Sequence, residues 1–290
     1  MPPSSTFTIQ NSTFKIRATI HPFSIILATL LLIPILSPQT SCAWGQTGHR
    51  TSALIAYNHL TPETKTAIAE LIGDESFIDL SVWPDWIRSN PDWKRAEPWH
   101  YMSIADNALF SEHKTPIEGD ILSKLSDFER ILRDPTASKT EKRNALAFYI
   151  HFVGDIHQPL HVGRKEDRGG NRILVKWFDE EVNLHRLWDE TLVDSMNLSY
   201  SELAKQLDNP SPEEVAAWQS DPYVRWAQES QTLRPQVYDF GPQESGYYLN
   251  IKSPPELGWD YRYHNLPTLK KRLTQAGVRL AGKLNEIFGP

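Results

Sequence analysis

His151-Phe-Val-Gly-Asp155-Ile-His-Gln-Pro-Leu-His161 is the stretch on which the reading of this chain turns. Upstream, Ser138-Lys-Thr-Glu141 is a capping box, in which a serine and a glutamate can satisfy each other's free amides at a helix start. The helix so opened is predicted to run to about Asp155, and Pro159 stands where it should have ended. His151 and Asp155 are then one turn apart on the same face, able to converge on a single cation. His161 lies beyond the proline. His185-Arg-Leu-Trp-Asp189 repeats the pair on a second predicted helix. Imidazole and carboxylate together suit zinc. One such pair is more often a surface ion pair, but two with a histidine between them point to a metal. His59, His113, His157 and His264 lack such partners and read as surface or satisfied core histidines.

Outward from this stretch the chain reads as mostly helical. Thr61-Pro62-Glu63 opens a helix with a cap, a first-turn proline and an early acid, and Gly73 closes it. Ile121, Leu122, Leu125, Phe128, Ile131 and Leu132 form one apolar stripe at helical spacing. Ser211-Pro-Glu-Glu214 starts another helix. The last, Thr268 to Phe288, reads as amphipathic and basic on its exposed side. Turn residues at Arg168-Gly-Gly-Asn171, followed by β-favouring residues to Phe178, predict a short hairpin. Proline-containing stretches near 207–222 and 234–258 read as surface excursions. With no internal repeat and no Gly/Ser linker, the expectation is a mainly α, single-domain fold with a short β-hairpin.

Composition narrows the classes. The chain has 290 residues, 40% hydrophobic, which is ample for a packed core and excludes disorder as the main state. Its single cysteine excludes a disulfide scaffold. A net charge of −6 gives no broad basic footprint, so a polyanion must be held by something local. The first residues form a separate segment. Lys15 and Arg17 precede an apolar run from Phe23 to Leu36, and the small-residue end Ser41-Cys42-Ala43 follows. This is the pattern of a signal peptide over 1–43, leaving a mature domain over 44–290 that starts at Trp44. A membrane anchor is the alternative, but the run is short and Pro34 interrupts it. A lipoprotein site at Cys42 fits less well, because Gln39 stands where a Leu-like residue is expected. The expected location is secreted or periplasmic, with no membrane contact after cleavage and no stable protein partner implied.

Further motifs complete a set: Trp44-Gly-Gln-Thr-Gly-His49, Trp83-Pro-Asp85-Trp-Ile-Arg88, Pro98-Trp99-His100-Tyr101, Gly169-Gly-Asn171 and Asn183-Leu-His185. In this order they make the chain resemble the secreted zinc-dependent single-strand nucleases of fungi, plants and bacteria, also called nuclease/3′-nucleotidases. The resemblance runs from Trp44 to about Asp189. It implies a helical fold shared with zinc phospholipase C and three zinc ions. Asp85, His100, His151 and Asp155 would hold the first, and His161, His185 and Asp189 the second. The third would take the α-amine and carbonyl of Trp44, His49 and the other oxygen of Asp155. Hydroxide between the first and third zinc would attack phosphorus in line, with the second stabilising the departing 3′-oxygen, so that products carry a 5′-phosphate. The implied substrates are single-stranded DNA and RNA and 3′-mononucleotides. Arg88 matches the family's phosphate-stabilising arginine, and Tyr101 the aromatic on which a base stacks. Asn183 reads as supporting or structural. Three zinc ions carry twice the charge of Asp85, Asp155 and Asp189, which would let an acidic domain hold phosphate.

The resemblance has departures. Ser103 stands where some fungal members have a base-contacting carboxylate, so base preference does not transfer. The lack of disulfides points to a bacterial-type member. Asn11 and Asn197 fit the glycosylation sequon. Two other classes remain open at this stage: a zinc phospholipase C, which has Glu where this chain has Asp189, and a non-catalytic zinc-binding secreted protein.

Overall fold

The computed structural model describes residues 44–241 and 254–289. The predicted leader, with its apolar run, Cys42 and Asn11, lies outside the described residues, as does 242–253 within the second proline-containing stretch. Helices in chain order are α1 (Gln46–His59), α2 (Pro62–Ile72), α3 (Phe77–Leu80), α4 (Trp83–Trp86), α5 (Ile121–Arg133), α6 (Lys139–His157), α7 (Leu184–Arg186), α8 (Leu192–Asp194), α9 (Tyr200–Leu207), α10 (Pro212–Gln219), α11 (Tyr223–Thr232), α12 (Arg234–Val237) and α13 (Trp259–Phe288). Strands are β1 (Met102–Ser103), β2 (Val162–Gly163), β3 (Leu174–Trp177), β4 (Glu180–Asn183) and β5 (Glu256–Leu257).

Helix starts follow from capping chemistry. Ser138 Oγ accepts from the Glu141 amide, and Glu141 accepts from the Ser138 amide at 2.9 Å. Thr61 caps α2, whose end is Gly73 at φ 64°. Ser211 and Glu214 make the same reciprocal box at α10, so the stretch near 207–222 is partly helical. The apolar stripe of α5 buries Ile121, Leu125, Phe128 and Leu132 against α6.

A short hairpin is present, but only its first strand lies in the predicted stretch: β3 and β4 pair antiparallel, with Val175 opposite Val182, and β4 lies beyond Phe178. Sequence reading missed that β5 adds to β3 in parallel, 80 residues away at Lys176–Glu256. β1 and β2 form a second, two-stranded parallel sheet.

The last helix corrects the sequence reading. It begins at Trp259 rather than Thr268. From Arg272 to Gly282 every residue is buried, so two of the helix's basic residues, Arg272 and Arg279, lie inside rather than on an exposed side. α1, α2, α6, α9 and α10 surround it. The buried charges are paired: Arg272 and Arg279 donate to Glu229 at 2.5 and 2.7 Å, and Arg279 also reaches Asp221. Two apolar clusters form the core, one around α5 and α6, the other around Trp44, the hairpin and the first half of α13.

Candidate metal centre

α6 is the spine of the centre. Its last turns bury His151 and Asp155 completely, and α1 lays His49 alongside. That approach depends on Gly154. A Cβ there would lie 2.7 Å from His49 Nδ1. The His49 ring instead stacks on His151, with centroids 3.9 Å apart. α4 contributes Asp85, and the 3₁₀ segment Pro91–His100 delivers His100 at its end. Asp155 faces two ways. Its Oδ2 is 3.1 Å from His100 Nδ1 and 3.3 Å from His151 Nε2, while its Oδ1 is 3.3 Å from His49 Nε2. Asp85 Oδ1 lies 3.7 Å from His151 Nε2.

The 3₁₀ turn Pro159–His161 brings His161 back from beyond the end of α6. It meets His185 of α7 and Asp189, which sits in a π-turn, Leu187–Thr191. His185 Nε2 is 3.0 Å from Asp189 Oδ2, and His161 Nε2 is 3.6 Å from Oδ1. Among the described residues, three groups thus have donor atoms within 4.8 Å of one another: His49/His151/Asp155, Asp85/His100/His151 and His161/His185/Asp189.

Backbone carbonyls fix the imidazoles. His151 Nδ1–H donates to Ser81 O at 2.6 Å, His161 to His100 O at 2.7 Å and His185 to Gly169 O at 2.6 Å. Each keeps its Nε2 lone pair turned to its group, the arrangement that orients a metal ligand. Buried Gln158 donates to Asp189 Oδ1 and accepts from the Leu160 amide, so it holds that carboxylate in place. The buried Trp44 indole donates to Gly154 O at 2.9 Å, and the Gly45 amide to Asp189 O at 2.7 Å. Trp44 is thereby tied to both the α6 and the Asp189 segments.

The donor set fits cations. His49 Nδ1 and Nε2, Asp85 Oδ1, Asp155 Oδ1 and His161 Nε2 are buried without a hydrogen-bond partner. Unsatisfied polar atoms clustered this way are costly unless something positive meets them. Burial drives Asp85 up to about 7, and burial with the Asp85 charge drives Asp155 well above its usual range. Burial also lowers His49, His100 and His161, and takes His151 down to about 3. Burial pulls His185 down, but the Asp189 charge and the hydrogen bonds to Asp189 and Gly169 O together raise it. Neutral imidazoles offer lone pairs, and buried carboxylates that resist ionisation on their own would be ionised by a divalent ion that displaces their protons.

Arg88, on the 3₁₀ turn after α4, places Nε 3.3 Å from Asp85 Oδ1. Its charge acts on His49, His100, His151, Asp85 and Asp155. Tyr101 is 45% exposed beside His100. The four histidines set aside have their own partners. His157 is in the core, donating to Val153 O and accepting from Arg279, and His59 and His113 pair with Asp208 and Asp120. His264 is exposed, with Asp260 3.5 Å away. Asn183 caps α7 through the Arg186 amide, at the start of the helix that carries His185. Sequence reasoning assigned no role to Gln158, Ser81 or Gly154. Gln158 and Gly154 stood inside the quoted stretch, whereas nothing local marks the Ser81 carbonyl.

Fold and centre define a mainly helical protein with three His/Asp groups whose donor atoms could each meet on a metal ion. A family model described as S1/P1 Nuclease matches residues 44–289. Endonuclease 4 of Arabidopsis thaliana is 32% identical over 272 residues, covering 84% of this chain and 89% of that protein. Nuclease S1 of Aspergillus oryzae is 28% identical over 86% of this chain and 93% of its own length, and Nuclease P1 of Penicillium citrinum 25% over 85% and 98%. The chain belongs to the S1/P1 nuclease family and is a hydrolase acting on nucleic acid.

Proposed function

We propose that residues 1–43 are a signal peptide and that the mature protein from Trp44 is a secreted or periplasmic trinuclear-zinc nuclease. Its substrates are single-stranded DNA and RNA and 3′-mononucleotides, and its products from polynucleotides carry 5′-phosphates. The observation that carries this reading is the two-faced Asp155, with one oxygen toward His100 and His151 and the other toward His49. In this reading Asp85, His100, His151 and Asp155 hold one zinc, His161, His185 and Asp189 a second, and Trp44, His49 and Asp155 a third. When bound, the zinc ions supply a water of lowered pKa and positive charge for the phosphate.

The chain's own residues do the rest. Arg88 offers guanidinium donors to the non-bridging phosphoryl oxygens, and Asp85 orients it. The exposed Tyr101 ring gives a base a face to stack on, and stacking does not discriminate among bases. Gln158 and the carbonyls of Ser81, His100 and Gly169 keep the ligand set from relaxing between turnovers. The acidic surface supports a flexible strand over duplex, since non-specific duplex binding draws on a lysine-rich face. The family match and the nuclease names of the relatives favour this reading over phospholipase C or a non-catalytic zinc protein.

Purified protein starting at Trp44, assayed on single-stranded DNA, RNA, 3′-AMP and lecithin before and after chelation, tests it. The expected result is nucleotide or phosphate release from the first three, lost on chelation and restored by zinc better than by magnesium. Full activity in excess EDTA with no zinc by elemental analysis would contradict it.

A further inference from the structure

Arg234 has no part in the metal groups, yet it is 1% exposed and its guanidinium hydrogen bonds go to the two chain segments that leave them. Its Nε donates to Val162 O at 2.7 Å, and one terminal nitrogen reaches Val162 O again and Gly163 O at 3.1 Å. The other donates to Ile104 O at 2.7 Å and to Asp106 Oδ1 at 2.9 Å. Val162 and Gly163 are β2, directly after His161, and Ile104 follows β1, which starts two residues after His100. β1 and β2 pair in parallel, Met102 with Val162, and the His161 ring donates to His100 O. His100 belongs to the Asp85/His100/His151 group, and His161 to the group with His185 and Asp189. One guanidinium therefore staples together the exits from two separate groups.

The chemistry requires arginine. A planar fork spreads its donors over three nitrogens and so reaches the Val162 and Ile104 carbonyls together, whereas the three donors of an ammonium radiate from a single atom. The Gly163 carbonyl has a second donor in the Ile104 amide at 3.0 Å, so the bonds that depend on Arg234 are those to Val162 O and Ile104 O. Without them, two buried carbonyls lose their donors and the short strands lose the brace that sets their offset.

We propose that Arg234 is a positioning residue that fixes the distance between the first and second metal groups. This rests on the functional reading above, in which the His161/His185/Asp189 group faces the departing 3′-oxygen. A shifted second group should then harm a poor leaving group far more than a good one. The test compares Arg234→Lys and Arg234→Met with wild type on thymidylyl-thymidine and on thymidine 5′-(4-nitrophenyl phosphate), whose nitrophenolate needs little help to leave. Zinc content and hydrogen exchange at 102–104 and 162–164 are followed as well. Leu284→Ala, buried in α13, controls for simple loss of stability.

For Arg234→Lys, zinc content should stay at the wild-type value and exchange in the two strands should quicken. Its kcat on the dinucleotide should fall by about ten-fold or more, with KM little changed and the nitrophenyl ester nearly unaffected. Arg234→Met should show the same split more strongly. If Arg234→Met does not fold, Arg234→Lys decides alone. Equal losses on the two substrates, or a fall in activity that merely tracks lost zinc or the Leu284→Ala control, would overturn the proposal. Wild-type inactivity on both substrates would overturn the functional reading itself.

Discussion

Asp155 is the residue on which the centre's geometry converges, since its two oxygens serve different histidines. Asp155→Asn keeps the size and removes the shared charge. Activity should fall by about two orders of magnitude or more, with loss of at least one zinc by elemental analysis. His157, two residues on, points into the core instead, accepting from Arg279 and donating to Val153 O. His157→Ala should lower the melting temperature yet keep most of the specific activity of the folded fraction. Matching activity losses in the two variants would show that the wrong member of this cluster had been placed in the centre. The one-turn spacing of His151 and Asp155 made their shared face legible in sequence. The role of Gln158 was not legible, because its partner Asp189 is brought to it only by tertiary folding.

At the scale of elements, capping boxes and turn residues spoke for themselves. Ser138/Glu141, Ser211/Glu214 and Thr61 open helices where the sequence placed them. Three features were not readable, each because a distant segment sets it. Asp189 lies in a π-turn, β5 pairs with β3 across a long separation, and α13 is buried where arginine suggested solvent. Periodicity reports how many charges a helix carries, and cannot report that half-buried Glu229 and Asp221 meet them from a neighbouring segment. Arg279→Met would leave Asp221 without its guanidinium and Glu229 with Arg272 as its remaining buried arginine, and should cost about 2 kcal/mol in denaturant unfolding. A change within about 0.5 kcal/mol, typical of an ordinary surface site, would refute the pairing. The contact of α1 with α6 at Gly154 gives another test. Gly154→Ala puts a carbon against His49, so zinc content should drop while far-UV helicity is retained; unchanged zinc would contradict that close approach.

For the whole molecule, metal and proton compete for one set of atoms. Asp85, at about 7, and Asp155 hold protons in the metal-free fold more strongly than in the unfolded chain. Stability from such raised groups is present below pH ~4 and lost as pH rises through about 7. Zinc displaces those protons and cancels the loss. Histidines lowered by burial, His49, His100 and His151, act in the opposite sense, contributing stability above their unfolded value of 6.5 that is lost as pH falls. Their protons too must be absent for zinc to bind. The gain in melting temperature on adding zinc to stripped protein should therefore grow from about pH 5 to about pH 7.5. A gain independent of pH would contradict this linkage.

The central claim, three zinc ions with one held by the chain terminus at Trp44, is tested most directly by counting zinc in two proteins that differ by one residue. In one the chain begins at Trp44; in the other a retained methionine precedes it, and mass spectrometry confirms each terminus. A free α-amine, with a pKa of ~7.7–8.0, can give up its proton to a metal, whereas an amide nitrogen is a poor ligand. Trp44 is held beside Gly154 and, through Gly45, beside Asp189, so its backbone has little room to retreat. The account predicts three zinc ions and full activity on single-stranded DNA for the first protein, and fewer zinc ions with far lower activity for the second. Equal zinc content and equal activity in the two would contradict it.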